Sequence, residues 1–399
     1  MSIITSLLDT DLYKFKMLYF LWKMDLADTY VSYKLTNRST IDLRQFISEG
    51  VLRQEIDSLA GLTLRYDELR YLVTIFDEEF VQWLSTLHMG FDMMSENINN
   101  IIYSGPISNI ILYEVPIMAI INELFGHRVL EGMGRYSNKH EECFIFNLCK
   151  KLNEIKKFTD SGIKLKFVEF GTRRRSSKRL QDIALNECIK WVPNSLIGTS
   201  NVLLAKKYAL TPCGTCAHEM NMLYAALALN ETTCKSVNLQ CSQITFVQEW
   251  MKIFPETYYL TDTYGTEWFL RNCPKDIFGV RQDSGSPDTF MTRLADTRFE
   301  NIPVMFSDGL DVTEMIHLSK KYQDKTISFG WGTNLTNDGL VEPLKIVIKL
   351  HSVQVENKEI YTVKLSDNPG KAIGRPEDIT LYKGVFGYPE DEKTKEINY

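Results

Sequence analysis

The stretch LKFVEFGTR, residues 165–173, is a short apolar-rich run that ends abruptly in a glycine, a hydroxyl and an arginine. The same pattern recurs downstream as SLIGTSN (195–201), TPCGTCAH (211–218), YYLTDTYG (258–265), FGVRQDSG (278–285), PVMFSDGL (303–310) and TISFGWGTN (326–334). A strand covered on both faces shows such a near-continuous apolar run, the mark of a buried parallel sheet. Helical periodicity fills the gaps, as in Ser176–Trp191, where Leu180, Ile183, Ala184 and Cys188 share a face, and in Val312–Tyr322. Strand–helix alternation repeated this often predicts an α/β protein built on a (β/α) barrel, TIM-like but incomplete, with seven strands. An open doubly wound sheet is the alternative. Either fold places ligands at the C-terminal strand ends, where most of the chemically capable residues of this region fall.

Upstream the texture differs. Residues 1–160 combine helical patterns at Asp11–Met24, Asp67–Leu87 and His140–Phe158 with strand-like runs at Thr29–Leu35 and in IIYSGPISNIILYEV (101–115), where Gly-Pro predicts a turn between two β-rich halves. Downstream, HSVQVENKEIYTVKLSD (351–367) predicts short strands, followed by a polar tail. The expected organisation is an N-terminal α+β domain over 1–160, a barrel over 161–350, and a segment over 351–399 that returns to complete the first domain.

Composition narrows the function. The 399 residues carry a formal net charge of −6, which disfavours a nucleic-acid partner, since phosphate binding needs positive potential. The eight cysteines are scattered, unlike a secreted disulfide framework. With no signal-like N-terminus and no uninterrupted membrane-length apolar run, a cytoplasmic protein with no membrane partner is expected.

The strand ends gather Arg173, Ser200, His218, Asp262, Arg281, Asp283, Asp308 and the Gly330–Asn334 loop. A glycine-rich turn leading into a helix offers backbone N–H groups to a phosphate, although the same glycines also serve a tight turn. Asp283 and Asp308 suit sugar hydroxyls or a hydrated Mg²⁺, and each alone suits a helix cap. In TRRRSSKR (172–179), Arg173 lies nearest the strand end and is the residue expected to meet phosphate, while a solvated helix start accounts for some of Arg174, Arg175, Lys178 and Arg179. The pair Cys213 and Cys216 has no second CxxC or histidine pair to complete a zinc site, and Ala217 separates it from the histidine that haem attachment would require. A redox dithiol or two ordinary thiols remain open. His218 opens a helical pattern, with Asp262 on a neighbouring strand end available to fix its tautomer.

These motifs occur together and in order in a known family. LLDTDLYKFKM (7–17), EFGTRRRSS (169–177), IGTSNVLLAKKYAL (197–210), GTCAHE (214–219), LTDTYGT (260–266), VRQDSG (280–285), FSDGL (306–310) and GTNLTND (332–338) resemble the nicotinate phosphoribosyltransferases. The resemblance implies synthesis of nicotinate mononucleotide and diphosphate from nicotinate and 5-phosphoribosyl 1-diphosphate, as an entry step to NAD. It also implies coupling to ATP, with Mg²⁺, through a phosphohistidine at His218.

Carried over by motif, His218, Asp262 and Asp283 are the catalytic residues, with Asp262 orienting the imidazole and Asp283 holding the ribose hydroxyls. Tyr13, Phe170, Ser200 and Arg281 bind nicotinate, its ring lying between Phe170 and Tyr13. Arg173, Asp308, Gly309, Gly332 and Thr333 bind the phosphoribosyl diphosphate, and no metal ligands are assigned. Nicotinamide enzymes resemble this pattern but carry Asp where Ser200 stands, so serine favours the acid. In dimeric relatives the tyrosine comes from the partner, which implies a homodimer with a shared site. The chain departs from the family at Ser286, Cys216 and Trp331. A nicotinamide-preferring or quinolinate-using relative, and a non-catalytic metabolite-binding or CxxC redox protein, are the competing assignments.

Overall fold

The computed structural model describes residues 2–93, 97–134, 137–230 and 234–388; the polar tail, 389–399, lies outside the described residues. Strands β1 (Tyr30–Asn37), β2 (Asp92–Met93) and β3 (Ile102–Pro106) come from the N-terminal region. The seven apolar runs supply β4 (Phe167–Glu169), β5 (Leu196–Thr199), β6 (Thr211–Pro212), β7 (Tyr258–Leu260), β8 (Gly279–Gln282), β9 (Val304–Phe306) and β10 (Ile327–Trp331). The chain then adds β11 (Ile346–Val355) and β12 (Lys358–Tyr361).

The seven central strands form one sheet in the order β6-β5-β4-β10-β9-β8-β7, and every pairing in it is parallel. Its first and last strands, β4 and β10, are neighbours, as in a closed barrel, and successive strands run outward from that pair. The fold is therefore an incomplete barrel, open between β6 and β7, rather than a doubly wound sheet. Among the described residues only one backbone bond, Cys216 N to Tyr258 O at 3.4 Å, crosses the seam. The opening has a local cause: β6 is two residues long and includes Pro212, which has no N–H to extend a ladder.

Helices cover the sheet where the periodicity placed them. Ser177 caps Lys178–Trp191 by accepting from Leu180 N, a contact that stabilises a helix start by about 1 kcal/mol, and Leu180, Ala184, Leu185 and Cys188 are buried. Asp311 caps Val312–Lys321 in the same way through Glu314 N.

The second sheet is antiparallel in the order β12-β11-β1-β3-β2. β11, from the end of the chain, pairs with β1 near its start, and Tyr33 stacks on Tyr103 across β1 and β3 with ring centres 5.3 Å apart. One continuous apolar core joins both sheets.

Two local expectations are corrected. After β3 the IIYSGPISNIILYEV stretch turns helical, at Ile107–Ile110 and then Glu114–Gly132. Its β-branched residues are buried, Ile107, Ile110, Ile111, Ile117, Ile120 and Ile121 all at 0 % exposure, and packing on every side overrides strand propensity. The Ile107–Gly132 span is apolar and long enough to cross a membrane, but 89 % of its apolar window is buried inside the protein, as in a core helix. The other correction is Asp67–Leu87, which forms two helices, Tyr66–Leu72 and Glu78–Thr86. Asp77 at the break accepts from Tyr19 Oη and Lys23 Nζ instead of capping the second helix.

Candidate active site

At the C-terminal ends of β4, β5, β7 and β8 lies a cavity with about 610 Å³ of empty space, lined in part by Asp11, Tyr13, Phe170, Arg173, Ser200, His218, Arg281 and Asp283. The N-terminal segment reaches it by lying across the turn after β5. Val202 N donates to Thr10 O, Leu203 N to Leu8 O and Leu12 N to Ser200 O, at 2.7–2.9 Å. These bonds bring Tyr13 to the cavity from its own chain, so the expected partner tyrosine is not needed to line it. Two glycines make room. A Cβ at Gly214 would lie 2.8 Å from Tyr13 N, and one at Gly330 would lie 2.5 Å from the Phe170 ring.

His218 is the first residue of the helix His218–Ala228 and is 4 % exposed. Its Nδ1 is 2.9 Å from Thr263 Oγ1, and its Nε2 is 3.1 Å from Asp283 Oδ2 and 2.8 Å from Lys364 Nζ. Burial, followed by the Lys364 ammonium, lowers its pKa to about 4, so the imidazole is neutral at pH 7. With Lys364 donating to Nε2, the proton belongs on Nδ1, facing Thr263.

Asp262, the expected orienter, does not hydrogen-bond the ring. Its Oδ1 is 3.7 Å from Nε2, while Oδ2 accepts from Ser284 Oγ at 2.6 Å and pairs with Lys364 at 3.5 Å. Thr263, the next residue, takes the orienting contact because it alone places an acceptor at Nδ1. Asp262 Oδ1 is buried and has no hydrogen-bond partner.

Arg281 makes one hydrogen bond from each guanidinium nitrogen, which uses three of its five N–H donors. It donates to Ser307 Oγ (2.8 Å), Thr215 Oγ1 (2.7 Å) and Asp283 Oδ1 (2.6 Å), and its guanidinium carbon stands 5.4 Å from the Phe170 ring centre. Burial alone would raise the Asp283 pKa, but the charges of Arg281 and Lys364 hold it well below the usual carboxylate range. Asp283 accepts from the arginine and stands beside the histidine, with the Lys364 ammonium at Nε2 offsetting its charge there.

Not every expected residue joins this cavity. Asp308, Gly309, Gly332 and Thr333 lie outside its lining, at the adjoining ends of β9 and β10. Asp308 pairs with Lys371 at 3.0 Å, and Gly332 precedes the short helix Thr333–Thr336. Trp331 is buried and donates to Asn334 Oδ1 at 3.1 Å, so this departure from the family packs beneath the loop. Within the basic run, Arg173 lines the cavity 3.7 Å from Glu114, whereas Arg175 is 0 % exposed and bonds Asp9 and Glu123. Arg175 is thus not among the residues of a solvated helix start, because those two buried carboxylates need its charge.

Sequence inspection missed several participants. Lys349 lines the cavity from β11, and burial lowers its pKa to about 8. Lys364 arrives from the segment after β12. Lys14 ties Glu114 to Glu219 at 2.5 and 2.6 Å, and Tyr33 Oη donates to the same Glu219. Lys14 and Glu219 lie within quoted motifs, but nothing local in VIKLH or YTVKLSD marks Lys349 and Lys364 as site residues.

Both CxxC thiols are free. Burial pushes Cys213 up to about 11 and Cys216 higher still, which suppresses the thiolate that redox exchange requires. No three His, Cys, Asp or Glu side chains among the described residues converge to hold a metal.

An aromatic-walled pocket at the ends of a parallel sheet, with a neutral buried histidine and an Arg–Asp pair, defines an α/β enzyme rather than a redox module. Comparison with known proteins gives the particular kind. Residues 165–390 match the model of the nicotinate phosphoribosyltransferase (NAPRTase) family, and residues 8–122 match its N-terminal domain. The fold is similar to nicotinate phosphoribosyltransferase from Porphyromonas gingivalis (30% identity, TM-score 0.83, 96% of this chain and 100% of that one). It is similar also to the enzyme from Vibrio cholerae (30%, 0.84, 98% and 95%) and to a putative one from Saccharomyces cerevisiae (30%, 0.80, 98% and 99%). The chain belongs to the nicotinate phosphoribosyltransferase family.

Proposed function

We propose that the protein joins nicotinate to 5-phosphoribosyl 1-diphosphate, releasing diphosphate, and that it couples this step to ATP hydrolysis through a phosphohistidine at His218. The observation that carries the reading is the state of that histidine: neutral, buried, with Nδ1 held by Thr263 and Nε2 turned toward Asp283 and Lys364. In that tautomer Nε2 has a lone pair and no proton to lose. It takes the γ-phosphoryl group of ATP, ADP leaves, and Nδ1–H remains bonded to Thr263. The Lys364 ammonium, already at Nε2, shifts onto a phosphoryl oxygen and offsets its charge. Water later cleaves the N–P bond and phosphate departs.

In the transfer step the C1–O bond of the ribosyl diphosphate breaks as the pyridine nitrogen bonds to C1, so the sugar carries positive charge in between. Asp283, held ionised, is the carboxylate suited to the ribose side, and the Phe170 and Tyr13 rings suit the pyridine. Asp308, Gly309, Gly332 and Thr333, at the adjoining strand ends with Arg173 toward the cavity, suit the phosphate groups. Mg²⁺ keeps waters and binds through one or two carboxylates plus substrate phosphates. The separate Asp283 and Asp308 carboxylates fit an ion delivered on substrate, which would neutralise diphosphate charge. All eight cysteines are free, in keeping with a reducing cytoplasm. A homodimer would add no tyrosine that the chain lacks.

The test is to incubate the protein with ATP, Mg²⁺, nicotinate and phosphoribosyl diphosphate and to follow nicotinate mononucleotide. Product is expected only with all substrates present. Absence of product, or equal turnover of nicotinamide, would overturn the proposal.

A further inference from the structure

Asp11 occupies the N-cap position of the helix Leu12–Lys23, where an aspartate normally accepts from first-turn amides, yet its side chain makes no cap bond. It turns instead to the β5 end, where Ser200 Oγ donates to Asp11 Oδ1 at 2.7 Å. Both residues line the cavity beside Tyr13, Phe170 and Arg173, and each is 3 % exposed. A hydroxyl has a single proton. While Asp11 is ionised that proton is committed, and Ser200 offers the cavity only lone pairs. An ionised Asp11 also opposes a second carboxylate placed against it, because two carboxylates in one site do not both ionise cheaply.

The surroundings of Asp11 are mixed. Burial raises its pKa, ahead of the opposing effects of Arg173 and of the Ser200 and Thr172 hydroxyls, and Glu114 raises it further. Tyr13 adjoins it, and Glu169, beneath the β4 end, is itself pushed up to about 7 by burial, with Asp11 contributing.

We propose that Asp11 and Ser200 form one proton-dependent reader of the pyridine substituent: the neutral pair donates to a carboxylate, whereas the ionised pair accepts from an amide. This rests on the nicotinate reading above. Nicotinate stays ionised through the neutral range, so its binding to the ionised site takes up one proton from solvent, which resides on Asp11. Ser200 alone does not specify the acid. It does so only with a proton on its neighbour.

The experiment measures nicotinate KM and calorimetric proton uptake on nicotinate binding, in buffers of different ionisation enthalpy, from about pH 4, the ordinary aspartate range, up to about pH 9. In the wild type, KM should rise by up to about tenfold per pH unit above the Asp11 titration, with close to one proton taken up there. The preference for nicotinate over nicotinamide should fall over the same range. In Asp11→Asn the amide oxygen accepts from Ser200 and its nitrogen donates to the substrate carboxylate, so the Asp11-dependent rise and uptake should vanish. Glu169 and Lys349 titrate in this window too, and the difference between wild type and Asp11→Asn removes their contribution. Ser200→Ala keeps Asp11 and removes its donor, so its midpoint should move to higher pH. An Asp11→Asn variant with the wild-type profile and uptake would sink the inference, as would an unmoved midpoint in Ser200→Ala. If the wild type makes no nicotinate mononucleotide at all, the functional reading fails; if it makes product while Asp11→Asn behaves as wild type, only the proton reader fails.

Discussion

Replacing Lys364 by methionine isolates the interaction that keeps His218 ready to accept a phosphoryl group. The ammonium stands 2.8 Å from Nε2, in a site where both side chains are less than a tenth exposed. At an effective dielectric of about 20, a unit charge at that distance opposes a proton on the ring by about 6 kcal/mol. If a quarter of this survives solvent entry and relaxation, removing the charge raises the His218 pKa by about one unit. The desolvation imposed by burial persists, so the value should rise from about 4 without reaching 6.5. NMR titration of the assigned His218 ring signals reads the shift directly. Stability should follow with a defined sign. A folded pKa below the unfolded one means that this contribution is complete above about pH 6.5 and is lost as pH falls toward 4, by about 3 kcal/mol in the wild type. In Lys364→Met the loss from this group should be smaller, by about 1 kcal/mol. A His218 titration that stays put in the variant would refute the argument that Lys364 tunes the acceptor.

Three other outcomes follow from packing and charge. Arg175→Met leaves the buried Asp9 and Glu123 carboxylates without their cation and should lower stability by about 3–5 kcal/mol in urea unfolding. Gly330→Ala puts a methyl 2.5 Å from the Phe170 ring, so nicotinate kcat/KM should fall about 10–100-fold, with the unfolding transition little changed. Cys213→Ser/Cys216→Ser should turn over at the wild-type level in reducing or oxidising buffer, because burial already suppresses both thiolates; loss of activity in that variant would revive the redox assignment.

The strand-end chemistry was legible because each buried strand announces itself as an apolar run and the next residues must face a ligand or solvent. Arg173, Ser200, His218, Arg281 and Asp283 were found in that way, and all line one cavity, whereas Phe170, which also lines it, came from the family resemblance. The resemblance added Tyr13, whose place depends on backbone bonds from residues 8–12 to the β5 turn. Local patterns failed where tertiary context decides. The isoleucines after Gly105 read as strand, but full burial makes them helix. The sequence could not say which of the basic residues after Arg173 are buried, because the partners of Arg175, Asp9 and Glu123, are far away in sequence. Lys349 and Lys364 were invisible because an alternating strand and the bridge that follows it give no sign of where their lysines point. The barrel's open seam depended on the shortness of β6, which its apolar run did not reveal.

The central claim is that His218 accepts the phosphoryl group of ATP. Incubation with [γ-³²P]ATP and Mg²⁺, followed by mapping of the labelled peptide, tests it most directly. The account predicts an acid-labile, base-stable label on the peptide containing His218, absent from His218→Asn and discharged with phosphate release. A label on another residue, or mononucleotide synthesis stimulated by ATP to the same extent in His218→Asn, would contradict it.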